Sequence, residues 1–135
     1  MLTKTEIRNR LDQAYTTGCA PESPYPVDLL STNPLPAAVL IPMMKIRADW
    51  HLLFIRRNVK SNDRHSGQVA FPGGRCDQAD YNATSTALRE TQEEVGISSR
   101  DVEILGKVRD LLTITNYLVT PLVGLIPWPY KLIPQ

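Results

Sequence analysis

Arg89, Glu90, Glu93 and Glu94 stand within six residues of one another. On a helix, Glu93 and Glu94 fall one turn beyond Glu90, and the carboxylates form one strip with Cβ atoms about 5–6 Å apart between turns. Like charges so placed destabilise an isolated helix by roughly a few tenths of a kcal/mol per pair. A divalent cation offsets that cost, and hard oxygen ligands on neighbouring turns suit Mg²⁺ or Mn²⁺. An acidic strip alone reads more simply as a solvated face. The context upstream gives it chemistry. Phe71-Pro72-Gly73-Gly74 follows an apolar stretch, and a Pro-Gly-Gly turn permits positive φ and close backbone approach to a ligand. Asp77 and Asp80 lie between turn and helix. Asp80 is weighed equally as the helix N-cap and as an outer metal group.

The helix that must carry this strip is expected from about Tyr81 or Asn82 to Val95, closed by Gly96. Ala83, Ala87, Leu88, Thr91 and Val95 make an adjoining stripe suited to packing on a sheet. Thr84, Ser85 and Thr86 are read as filler. Residues 67–71 read as a short strand stopped by the Pro-Gly-Gly turn. Residues 37–44 form a continuous apolar run, expected as a buried strand whose end Pro42 places at an edge or bulge. A hairpin turn over 45–49 leads to a strand at 50–55, and residues 102–108 and 117–126 read as later strands. The polar loop 56–66 carries Arg56, Arg57, Arg64 and His65. Such a run is either a solvated loop or a phosphate site, for which a guanidinium fork is suited. At the front, Thr3 and Glu6 form a capping-box pattern opening a helix over 3–15, with Gly18 as its stop. The order helix, strands, helix, strands gives an α+β class.

Residues 73–97 resemble the Nudix hydrolase signature, written GX5EX7REUXEEXGU with U aliphatic. Gly74, Arg89, Glu90, Glu93, Glu94, Gly96 and Ile97 match it. Asp80 stands for the first Glu, with one extra residue before Arg89, and Thr91 stands at the first U. Both departures are shared by the coenzyme A pyrophosphatase-like branch of that family. That branch reads FPGGKxDxxD and then TALRETxEEIGL, against FPGGRCDQAD and TALRETQEEVGI here. Its upstream motif, LLTxRxxxxxxHxGxVxFPGG, is similar to LLFIRR and RHSGQVAFPGG at residues 52–57 and 64–74, with a slightly longer loop between Arg and His. The resemblance covers roughly residues 36–126.

It implies a Nudix-type α/β/α sandwich with a mixed sheet. It also implies metal-dependent hydrolysis of the pyrophosphate bond in a nucleoside diphosphate joined to another group. In that branch the usual substrate is coenzyme A or a derivative, cut to 3′,5′-ADP and a 4′-phosphopantetheine product. Glu90 and Glu94 would be the principal ligands of Mg²⁺ or Mn²⁺, and Glu93 a third ligand or a contributor to water activation. Arg89 would orient a carboxylate by a salt bridge. Gly73 and Gly74 would hold the turn, with a backbone carbonyl toward the metal. Arg56, Arg57 and His65 would meet substrate phosphates, although His65 equally suits a structural hydrogen bond. ADP-ribose, dinucleoside polyphosphates and oxidised nucleotides are alternative substrates. A nucleotide-binding regulator without catalysis would be expected to lose the metal carboxylates, and all of them are present.

Composition sets the frame. The chain has 135 residues, 42% apolar and 21% charged, which fits one globular domain. Lys plus Arg is 15 and Asp plus Glu 14, a net charge of +1, so nothing asks for nucleic acid or a membrane as an electrostatic partner. Cys19 and Cys76 form no CxxC pair or Cys/His cluster, and read as reduced thiols. With no signal-peptide core at the N-terminus, a soluble cytoplasmic protein is expected. Its partner would be a small-molecule nucleotide, and homodimerisation is left open. Residues 1–35 form the helix and proline-rich connection, 36–126 the core, and 127–135 the ending WPYKLIPQ. That ending is expected to belong to a truncated chain, with the C-terminal part of the sandwich missing. Trp128, Tyr130, Leu132 and Ile133 would then leave apolar surface uncovered.

Overall fold

The long apolar run makes the central strand. The structure, a computed structural model, describes residues 1–14, 21, 23–26, 29–30, 33–56 and 68–134. Helix α1 spans Lys4–Ala14 and strand β1 spans Leu35–Ile46. Then follow β2 (Asp49–Leu52), β3 (Ile55–Arg56), β4 (Val69–Ala70) and β5 (Gly73–Arg75). Helix α2 (Ala83–Val95), a 3₁₀ turn at Ser99–Asp101, and strands β6 (Glu103–Lys107), β7 (Leu111–Leu112) and β8 (Tyr117–Leu125) complete the order. The main sheet has six strands in the order β2-β1-β8-β6, with β5 also on β1 and β7 also on β8. Strands β1 and β8 run parallel and the other pairs antiparallel, so the sheet is mixed, as expected. Strands β3 and β4 form a separate two-stranded ribbon.

Strand β1 does not end at Pro42 but runs through it. Leu40 N–H donates to the Pro72 carbonyl (2.8 Å), and the Pro42 carbonyl accepts from Leu53 N–H (3.0 Å). Both bonds lie on the same side of β1, where the β5 pairing has ended and the β2 pairing has not begun. The missing proline N–H therefore falls in a gap of the ladder, where it costs no strand hydrogen bond. The expected strand at 50–55 is also divided, into β2 and β3 around Leu53 and Phe54.

Alternation along β1 decides which face is core. Ala38, Leu40 and Met44 are buried toward α2, Ala38 and Leu40 with Ala87 and Leu122, and Met44 with Val95, Ile97 and Ile126. Leu40 is wholly inaccessible, and truncating such a leucine typically costs about 2–5 kcal/mol. Helix α1 lies across the other face. Trp50 pairs with Lys45, which is out of phase with the buried positions, and its indole N–H donates to the Leu2 carbonyl (2.8 Å). The same helix reaches β6, where Lys4 (3.1 Å) and Arg8 (2.6 Å) both bond Glu103. The capping box forms as read: Glu6 N–H donates to Thr3 Oγ1 at 3.1 Å.

The C-terminal segment packs rather than standing free. Tyr130 and Leu132 join the cluster of Val95, Ile97 and Ile126. The Tyr130 hydroxyl donates to Asp101 (2.7 Å) and accepts from Ser98 N–H (3.0 Å), and Ile133 N–H closes on the Val95 carbonyl at the end of α2 (2.8 Å). The acceptor Asp101 raises the phenol's pKa above its ordinary value. Of the expected uncovered residues, Trp128 and Ile133 are exposed. No helix among the described residues is long and apolar enough to cross a membrane.

Candidate active site

Helix α2 starts one step later than expected. Its N-cap is Asn82, whose side-chain oxygen accepts from Ser85 N–H at 2.9 Å. Gly96, at φ 75°, ends it in the left-handed conformation. The helix buries Thr86, Ala87, Thr91 and Val95, which turns Glu90, Glu93 and Glu94 along the neighbouring side.

Asp80 is therefore not the N-cap. It sits before the helix with its side chain 7% exposed and receives Arg89 in a fork, Nε to Oδ1 at 3.0 Å and Nη2 to Oδ2 at 3.0 Å. Asp77 N–H (2.9 Å) and the Thr86 hydroxyl (2.8 Å) also donate to Oδ2. The Arg89 guanidinium, then the Asp77 N–H, hold the Asp80 carboxyl far below the usual carboxylate range. Reciprocally, Asp80 raises the guanidinium pKa, and Glu93 and Glu90 add to the effect. Nη1 of Arg89 is shared between Glu90 (3.1 Å) and Glu93 (3.3 Å), and Nη2 also reaches the Arg75 carbonyl (3.2 Å). Arg89 is thus paired at once with Asp80, Glu90 and Glu93.

Thr86 was not filler. It is fully buried and its hydroxyl secures Asp80. The available signal was its position in the first turn of the helix, facing a carboxylate on the preceding loop.

Gly73 and Gly74 do not form a positive-φ turn. Among the described residues, only Gly96 and Gly106 are glycines with positive φ. Gly73 and Gly74 are strand residues, paired to Val39 and Ala38 of β1, and they are needed for close approach. A Cβ on Gly73 would lie 2.4 Å from the Ala38 carbonyl oxygen, and one on Gly74 2.7 Å from the Glu90 carboxylate. Gly73 N–H donates to Glu94 Oε1 at 3.2 Å. Glu90 and Glu94, one turn apart, thus both lie against the β5 backbone. Glu93, its side chain 58% exposed, is held by Arg89. Among the described residues, no three His, Cys, Asp or Glu side chains are gathered tightly enough to form a metal cluster. A donor set that would fit a hard divalent cation is the Glu90–Glu94 pair beside the Gly73–Gly74 backbone, with Glu93 joined to Glu90 through the shared Arg89 Nη1.

Arg56 ends β3 opposite Val69. Arg57, Arg64 and His65 lie outside the described residues, as do Cys19 and Gly18.

Comparison with known proteins points one way. A family model described as the NUDIX domain matches residues 34–121. An uncharacterized Nudix hydrolase, NudL, of Photorhabdus laumondii is 45% identical over 104 residues, covering 77% of this chain and 54% of the relative. NudL of Escherichia coli K12 is 45% identical over 97 residues, covering 70% of this chain and 50% of the relative. The chain thus spans about half the length of the curated relatives it matches. Among solved structures, a Caenorhabditis elegans Ap4A hydrolase complex aligns with TM-score 0.62 at 21% identity, covering 73% of this chain and 71% of that one. The Nudix domain of Shewanella oneidensis NrtR with ADP-ribose aligns with TM-score 0.52 at 17% identity, covering 82% and 75%.

Proposed function

This chain belongs to the Nudix family, and we propose that it hydrolyses the pyrophosphate bond of a nucleoside diphosphate joined to a second group, with coenzyme A or a derivative as substrate. The observation that carries the reading is the placement of Glu90 and Glu94 on consecutive turns against the Gly73–Gly74 backbone. Glu90 and Glu94 hold a divalent cation, Mg²⁺ or Mn²⁺, through hard oxygen donors. Such an ion supplies neutralising charge at a pyrophosphate and lowers the pKa of water there.

The chain's own residues do the rest. Arg89 fixes the Glu90 and Glu93 carboxylates in orientation, because its own position is set by Asp80. Gly74 leaves the Glu90 carboxylate room that any side chain would fill. Arg56, with Arg57 and His65, meets substrate phosphates. The coenzyme A assignment is supported by the text FPGGRCDQAD and TALRETQEEVGI, which is similar to that branch.

A hydrolysis panel with product identification tests the reading. Coenzyme A should be consumed with Mn²⁺ or Mg²⁺ present, giving 3′,5′-ADP. Consumption of ADP-ribose or a dinucleoside polyphosphate with coenzyme A unchanged would move the substrate elsewhere within the family.

A further inference from the structure

We infer that the outward face of the β3–β4 ribbon seats the nucleobase of the nucleotide, with the Phe54 ring as its stacking platform. The inference rests on the nucleotide reading above and adds a subsite to it.

The ribbon pairs Ile55 with Ala70 and Arg56 with Val69. One step further along, Phe54 meets Phe71, their rings stacked with centroids 4.5 Å apart and planes 22° from parallel. Side chains alternate across a strand. Ile55 is turned inward onto the cluster of Met44, Val95, Ile97 and Ile126. Phe54, Phe71, Arg56 and Val69 therefore share the opposite face. Phe54 is 51% exposed, so Phe71 braces the ring from one side while much of its surface meets solvent. A braced and exposed aromatic pair is a stacking surface that accepts any flat base.

The position of the pair names the occupant. Phe71 runs directly into Pro72 and Gly73, and Gly73 N–H holds Glu94 at 3.2 Å. Successive Cα atoms are about 3.8 Å apart, so the Phe71 and Gly73 Cα atoms lie within about 7 Å of each other, and the segment that braces the platform leads directly into the backbone that holds Glu94. Arg56 shares the platform face and adds positive charge beside it. A ligand with a flat aromatic end and a phosphate end matches that layout. Phe54 also stands where the upstream motif LLTxR has Thr, so the ring is a feature of this chain and not of the motif.

Calorimetric titration of the full chain with AMP and with ribose 5-phosphate, in the same Mg²⁺ buffer, tests this. AMP should bind about fivefold tighter or more. Phe54→Ala should erase that margin while leaving ribose 5-phosphate affinity unchanged, and Phe54→Tyr should restore it. Equal affinities for the two probes, or wild-type AMP affinity in Phe54→Ala, would overturn the platform. A Phe54-dependent margin in a protein that cuts no diphosphate would uphold the platform and sink the hydrolase reading. Diphosphate cleavage alongside wild-type AMP affinity in Phe54→Ala would do the reverse.

Discussion

Arg89 and Asp80 meet as fork and carboxylate, with Nε and Nη2 each 3.0 Å from a different oxygen. Two parallel charge-assisted bonds fix direction as well as distance. The remaining Nη1 is thereby aimed at Glu90 and Glu93. Arg89→Lys keeps the charge and loses the fork. Turnover should fall by about tenfold or more, since misplaced catalytic groups cost rate even when all are present. Steady-state kinetics beside a thermal melt checks this, and unchanged kinetics would show that the fork positions nothing.

Asp80 gives a pH signature. Its carboxyl has a lower pKa folded than the ordinary 3.8 of the unfolded chain, so ionisation favours the fold. That contribution is fully present above the ordinary value and is lost as pH falls from there toward the depressed folded value. Asp80→Asn should therefore be less stable than wild type at neutral pH, and the gap should narrow as the pH drops below about 4. Urea unfolding at pH 7 and pH 3 reads the difference. A gap that stays constant would contradict it.

The two strand glycines should separate fold from function. Gly73→Ala drives a Cβ into the Ala38 backbone, which cannot yield cheaply, so the melting temperature should drop by several degrees. Gly74→Ala meets only the flexible end of Glu90. It should melt close to wild type yet lose most of its metal-dependent turnover. The reverse pattern would refute the close-approach account of both.

Thr86→Val replaces a buried hydroxyl by a methyl of similar size. Its bond to the Asp80 carboxylate (2.8 Å) is lost, at a cost of about 1–3 kcal/mol. Thr86→Ser should retain most of the stability. Equal denaturation midpoints for Val and wild type would mean the hydroxyl is idle.

The elements that sequence made legible were those with one dominant cause. The apolar run at 37–44 could only be buried, and it became β1. The Thr3–Glu6 box and Gly96 marked helix ends by local chemistry, and both hold. What escaped depended on neighbours distant in sequence. Pro42 is tolerated mid-strand because β5 and β2 leave a gap there. Asp80 reads equally as a cap and as an outer metal group in sequence because its partner Arg89, nine residues on, is brought to it only by the fold. Gly73 and Gly74 suggested a turn from their type alone, whereas β1 and Glu90 supply the reason for them. The carboxylate strip followed from helical spacing, and so does the pairing of Glu93 with Arg89 four residues before it.

The central claim is that Glu90 and Glu94 hold a catalytic divalent ion against the β5 backbone. The most direct measurement is the Mn²⁺ dependence of coenzyme A hydrolysis in wild type and in Glu94→Gln. The amide keeps an oxygen for the Gly73 N–H, so the fold should survive and the melting temperature should stay near wild type. Wild-type turnover should rise from background as Mn²⁺ is added, and Glu94→Gln should fall by about a hundredfold or more at saturating metal. Near-normal, metal-dependent turnover in Glu94→Gln would contradict the account.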